Sequence, residues 1–210
     1  CRYQNGEIEE LISKANYHYF NKDNFTKLGV LVDDLDDDGN LELVVYNYNY
    51  KSKEMDLNVC AFKDDKISIL DSSVFENIRN FEDIEISVGN ISSKQKALFL
   101  SLPDNEDTGF TTQVVYLEQK NLINAFKDMK VQMKNEYFIP FEDVNNDGIT
   151  NIPKIEQSSV TIDTLSTSTF PTSLIISWNK YNGKQDKDAD VIFVSQIYYN
   201  YEANFRYRII

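Results

Sequence analysis

The chain has 210 residues, enough for one domain with a full core or for two small ones. Its 34 acids outnumber its 21 lysines and arginines, giving a net charge of −13. With no basic stripe, that balance argues against nucleic acid and against anionic lipid surfaces as partners. One histidine, His18, cannot furnish a His-based triad or a His-rich zinc site, and the 7 glycines form no nucleophile elbow, dinucleotide fingerprint or phosphate loop.

Elements in chain order begin with a short helix over Glu7 to Tyr19. Ile8, Leu11, Ile12, Ala15 and Tyr19 fall at helical spacing on one face, and Glu7, Glu9 and Glu10 crowd the first turn, where the helix dipole favours acids. Such a helix caps the domain that follows. From residue 21 onward the signal is β. Lys27 to Val32, Leu41 to Tyr48, Met55 to Phe62 and Lys66 to Leu70 are strand-like runs bounded by Asp, Asn and Gly turns. Asp64-Asp65 marks a hairpin between the last two. Ile84 to Val88, Ala97 to Leu102, Thr112 to Leu117 and Leu122 to Phe126 repeat the theme. A looser third set comprises Tyr137 to Phe141, a run near Ile152, Leu174 to Trp178 and Val191 to Tyr199. The Ser/Thr-rich stretch 157–169 reads as a long loop or polar edge hairpin, so the chain divides into 1–20 and a single β domain over 21–210.

Between the first two strands lies the most informative segment, Asp34-Leu35-Asp36-Asp37-Asp38-Gly39-Asn40-Leu41-Glu42. Oxygen ligands stand at positions one, three, five and nine, with glycine at six. A hard cation such as Ca²⁺ takes six to eight oxygens at about 2.3–2.6 Å, which no regular helix or strand can gather. A tight loop turns alternate side chains inward, and the Asn40 carbonyl fills a further direction. Position twelve, where an EF-hand has its glutamate, is Val45 inside an apolar run, so this loop feeds a strand. The pattern returns at Asp143-Val144-Asn145-Asn146-Asp147-Gly148-Ile149-Thr150-Asn151. There the ligand set is Asp143, Asn145, Asp147, the position-seven residue Ile149, and Asn151. Two of its four side-chain ligands are neutral, which weakens the second site relative to the first.

Asp34 and Asp143 lie 109 residues apart, and near the midpoint Val88-Gly89-Asn90 to Ala97-Leu98-Phe99-Leu100 keeps a strand–loop–strand frame without any carboxylate. The period is half of that spacing, about 55 residues, with about four strands in each, the rhythm of a β-propeller blade. Three periods and a remainder leave open an arc, a four-bladed ring with an irregular last blade, or part of a longer array.

Val32 to Val45 and Phe141 to Pro153 resemble FG-GAP or VCBS-type repeats, and with the later Trp178-Asn179-Lys180-Tyr181-Asn182-Gly183 the chain resembles a group of Gram-positive lipoproteins. The resemblance implies an all-β array of about three to four antiparallel four-stranded blades that hold calcium in hairpin loops, on a bacterial surface. It departs from the repeats at Asn151, where an acid is usual, and in the middle copy. Cys1 fits the same location as a lipid-attachment residue, leaving the mature chain extracytoplasmic and held to the membrane only through that anchor. Cys60, without a partner, reads as a small buried hydrophobe. The expected function is a calcium-stabilised, non-catalytic binding, adhesion or scaffold module for a protein or glycan. The alternative is an envelope glycan hydrolase with paired carboxylates. Tyr46, Tyr48 and Tyr50 share a strand face and are expected to fill the wedge between sheets, as are Tyr198, Tyr199, Tyr201 and Trp178.

Overall fold

The computed structural model describes residues 2–4, 7–9, 26–63, 66–106, 108–126, 133–160, 171–182, 191–201 and 203–210. Among them there is no helix, and the fold is all-β and antiparallel. The first sheet is a meander of β3 (Thr26–Asp33), β4 (Glu42–Asn49), β5 (Glu54–Lys63) and β6 (Lys66–Phe75). The second runs β7 (Glu85–Ser92), β8 (Gln95–Pro103), β9 (Phe110–Glu118) and β10 (Asn121–Asn124), with the short β11 (Lys134–Asn135) added to β9. The third runs β12 (Ile152–Val160), β13 (Pro171–Tyr181), β14 (Val191–Asn200) and β15 (Phe205–Arg208).

The sheets pack face on face, and the sequence of β8 says why. Alternation is lost there: Ala97 to Leu102 is an unbroken buried run. A strand covered on both sides must be apolar on both sides. Leu98, Leu100 and Leu102 join Val44, Tyr48, Leu57 and Val59 of the first sheet in one core. Ala97 and Phe99 turn the other way and pack with Val114, Ile152 and Tyr181 toward the third sheet. A third core gathers Leu174, Ile176, Trp178 and Ile197 under Ile139. By contrast, the side of the first sheet away from the second leaves Val30 and Val32 each 54% exposed.

Tyr48 is fully buried and Tyr46 and Tyr50 pack against the first core, so these rings lie between sheets as the sequence suggested, whereas Trp178 is buried in the third core among residues of its own sheet and the 137–144 segment, and Tyr201 is exposed. Cys60 is buried and free.

Three expectations need correction or restriction. The helix over Glu7 to Tyr19 fails at its first turn: Glu7–Glu9 is a strand, β2, paired with β1 (Arg2–Gln4). Gln4 pairs directly with Glu7 across Asn5-Gly6, a dipeptide favoured where two strands join through two residues, and this outweighs the helical spacing of the apolar residues. The remainder of that helix, residues 10–19, lies outside the described residues, as does Cys1. The strand expected over Tyr137 to Phe141 is reduced to a single bridge, Glu142 to Asn151. Ile139 instead serves the third core, and that unit gains β15 at its other edge.

Candidate metal centre

The three segments lie at the starts of the three sheets, two between paired strands and the last ahead of β12. The first loop joins β3 to β4, closed by the Asp33–Glu42 pair. The middle turn joins β7 to β8. The last loop is closed by the Glu142–Asn151 bridge, just ahead of β12.

The two acidic loops share four hydrogen bonds from backbone N–H groups; the first alone adds the Asp38 N–H to Asp36 at 3.3 Å and Asn40 Nδ2 to Asp38 at 2.8 Å. Asp34 accepts N–H bonds from Asp38 at 3.1 Å and Gly39 at 3.0 Å. Asp143 accepts from Asp147 at 3.2 Å and Gly148 at 2.8 Å. The Asn40 N–H donates to Asp38 at 2.7 Å, and the Ile149 N–H to Asp147 at 2.9 Å. At position two, the Leu35 N–H donates to Glu42 Oε2 at 2.8 Å, and the Val144 N–H to Asn151 Oδ1 at 2.9 Å. Position four is left-handed in both, Asp37 at φ 56° and Asn146 at 57°, as are Gly39 at 87° and Gly148 at 81°. Asx-type residues and glycine tolerate those angles, which is why both loops spell an Asp or Asn at four and Gly at six.

Their chemistry differs. In the first loop, carboxylate oxygens of Asp34, Asp36 and Glu42 lie within 4.8 Å of one another, a group that could hold a metal ion. Asp36 and Asp38 are exposed, whereas Glu42 is buried. Burial pushes the Glu42 carboxyl above its usual range; the Leu35 N–H works against this, and Asp36, Asp38 and Asp34 add to it. A desolvated acid beside three others is what a bound cation relieves. The donors fit a hard ion: all are oxygens, Glu42 Oε2 is held by backbone while Oε1 has no hydrogen bond among the described residues, and the Asn40 carbonyl completes the set named from sequence. The loop is flanked by a cation from the next sheet. Lys96 Nζ on β8 meets Asp33 at 2.9 Å and Asp37 at 3.6 Å, neither of them in the predicted ligand set.

In the second loop, Asp143, Asn145 and Asp147 are exposed, Ile149 is half-buried and Asn151 is fully buried. Asp147 is held below the usual carboxylate range by the Asn145 amide first, then by the Ile149 N–H and Lys180, against a small opposing effect of burial. The loop is tied to the middle turn of the second sheet: the Thr150 N–H donates to Asn90 O at 2.8 Å, and Asn90 Nδ2 to Gly148 O at 3.0 Å. Thus the middle copy, stripped of acids, lies between the two acidic loops and contacts both through Lys96 and Asn90.

Of the ligands expected from sequence the structure groups Asp34, Asp36 and Glu42, and sequence reading missed Lys96 and Lys180 as neighbours of the loops. No spacing rule finds them, because they reach the loops across sheets or strands.

Comparison with protein-family models, with curated proteins and with solved structures finds no match to this chain.

Proposed function

We propose that this chain is a calcium-stabilised, non-catalytic binding or scaffold module built of propeller-like blades of the FG-GAP or VCBS type. Its place is the outer surface of a bacterial cell, held by a lipid on Cys1, with a protein or a glycan as its partner. The observation that carries the reading is the pair of loops 109 residues apart that close with the same hydrogen bonds, one of which brings Asp34, Asp36 and Glu42 together. Three successive antiparallel meanders packed face on face support the blade reading. A cation that binds only the folded loop adds RT ln(1 + [L]/Kd), on the order of 1 kcal/mol at millimolar calcium for a typical extracellular site.

The test is thermal unfolding with and without chelator. Chelation lowers the melting temperature of the wild type, and a melting temperature indifferent to it rejects the calcium reading. Replacing Cys1 with Ala releases the native protein from the envelope; retention of that variant rejects the anchor.

A glycan hydrolase with paired carboxylates remains the second reading, favoured by a cleft of about 460 Å³ whose lining includes Glu76, Asp104, Glu106, Phe75 and Phe126. Turnover of cell-wall glycans by the wild type and its loss in Glu76→Gln or Glu106→Gln would establish it.

A further inference from the structure

We propose that the second loop carries its own cation, the Lys180 ammonium, and takes no calcium, so that the chain binds the metal at the first loop alone. The inference rests on the calcium reading of the first loop and turns on three places where the otherwise matched loops diverge.

The first is position nine. Glu42 and Asn151 each accept the position-two N–H through one terminal oxygen. Whatever is left on the side chain is then fixed. On Glu42 it is a second carboxylate oxygen. On Asn151 it is an NH₂ group, fully buried and without a hydrogen-bond partner among the described residues. An amide whose oxygen is already pinned by backbone cannot rotate to offer it elsewhere. A hard cation at this place would face N–H dipoles where the first loop presents an anion.

The second is position three. Asp36 is an acid, whereas Asn145 turns its Nδ2 onto Asp147 Oδ2 at 3.0 Å. The third is position five. Lys180 Nζ, from β13, lies 3.5 Å from the same Asp147 Oδ2. The other oxygen, Oδ1, holds the Ile149 N–H. Both oxygens of Asp147 are therefore engaged by donors, and one of them by a positive charge. Asp143 spends its two oxygens on the Asp147 and Gly148 N–H groups, as Asp34 does on Asp38 and Gly39. In the first loop the neighbouring lysine stands aside, on Asp33 and Asp37. In the second it sits on a ligand position. The loop keeps its fold because an ammonium and amide N–H groups supply the positive partners that a metal supplies elsewhere.

Calcium titrated calorimetrically into the full chain decides the matter. The expected result is one site in the wild type, lost in Asp36→Ala and kept in Asp147→Ala. The double variant Asn151→Asp/Lys180→Gln should bind a second calcium. The first change is isosteric, keeps the Val144 acceptor and replaces the NH₂ with oxygen; the second removes the competing charge. Two sites in the wild type, or a site that survives Asp36→Ala and disappears in Asp147→Ala, overturns the proposal. So does a folded double variant that still binds one. Should the double variant fail to fold, the two single alanine variants still decide. A wild type that binds no calcium sinks the proposed metal at the first loop and leaves the second loop metal-free as inferred.

Discussion

The first and second acidic loops share a backbone and differ in what balances their charge. One concentrates four acids, Asp34, Asp36, Asp38 and Glu42; the other spreads two acids among amides and a lysine. The lesson is that loop geometry and loop occupancy are separable. Position-one aspartate, position-two N–H and position-six glycine set the turn. Positions three, five and nine decide whether a cation belongs in it.

The strongest way to break that comparison is at position nine. Glu42→Ala and Asn151→Ala each strand a buried N–H, Leu35 or Val144, at a cost of about 1–3 kcal/mol. In calcium, Glu42→Ala should fall further than Asn151→Ala, because it also loses the metal. In chelator the extra loss should vanish. Equal falls in both conditions would erase the distinction between the loops. A sharper variant is Glu42→Gln, which keeps the Leu35 acceptor and gives the first loop the chemistry of the second. Its melting temperature should no longer respond to chelator, which differential scanning calorimetry reads directly.

Next in size is Asp36→Ala, which should forfeit the calcium increment of about 1 kcal/mol, or roughly 2–4 °C for a chain of this length. Asp147→Ala should produce a smaller fall, identical with and without chelator. A larger calcium-dependent effect at Asp147 would reverse the ranking.

Acid should separate the loops by sign. In chelator, the folded Glu42 carboxyl titrates above its unfolded value. Its stabilising contribution is present when it is protonated and is lost as pH rises through the raised value. Asp147 titrates below its unfolded value. It contributes above the unfolded value, and the contribution is lost as pH falls through the depressed one. The advantage of Glu42→Gln over the wild type should therefore grow from mildly acidic to neutral pH, whereas the deficit of Asp147→Asn should shrink toward acid. Parallel pH–melting curves would remove the contrast.

The smallest effect is expected from Lys96→Met. Its pair with Asp33 is partly exposed, so the loss should be slight and should fade in high salt. A large, salt-independent loss would make Lys96 a structural pin and not a flanking charge.

Much of this was legible in the residues. The strands of the first two sheets follow from alternation and from Asp, Asn and Gly turns, because each sheet is a meander whose register is set locally. Legibility failed where an apolar residue serves packing without pairing. Ile139 reads as strand yet lies over Leu174, Ile176 and Trp178 from outside the sheet. It failed again at Phe205–Arg208, where aromatic and arginine residues alternate on an exposed strand with no buried face to mark it. At the loops, ligands spaced along the chain were visible, but Lys96 and Lys180 were not, since their positions depend on how sheets and strands meet.

Among the described residues, nearly every strand beyond the first hairpin pairs with its neighbour in the chain, and β11 reaches back past β10 to β9. Such a molecule has little need to bring distant segments together before contacts form, and loop closure slows it little. Each meander can zip from its own turns, while β8, the strand of the second sheet covered on both faces, gains its full packing only when both neighbouring sheets are in place. The seams between sheets are held by side-chain packing and the strands within each sheet by hydrogen-bonded ladders, so tension along the stack is expected to part the seams first.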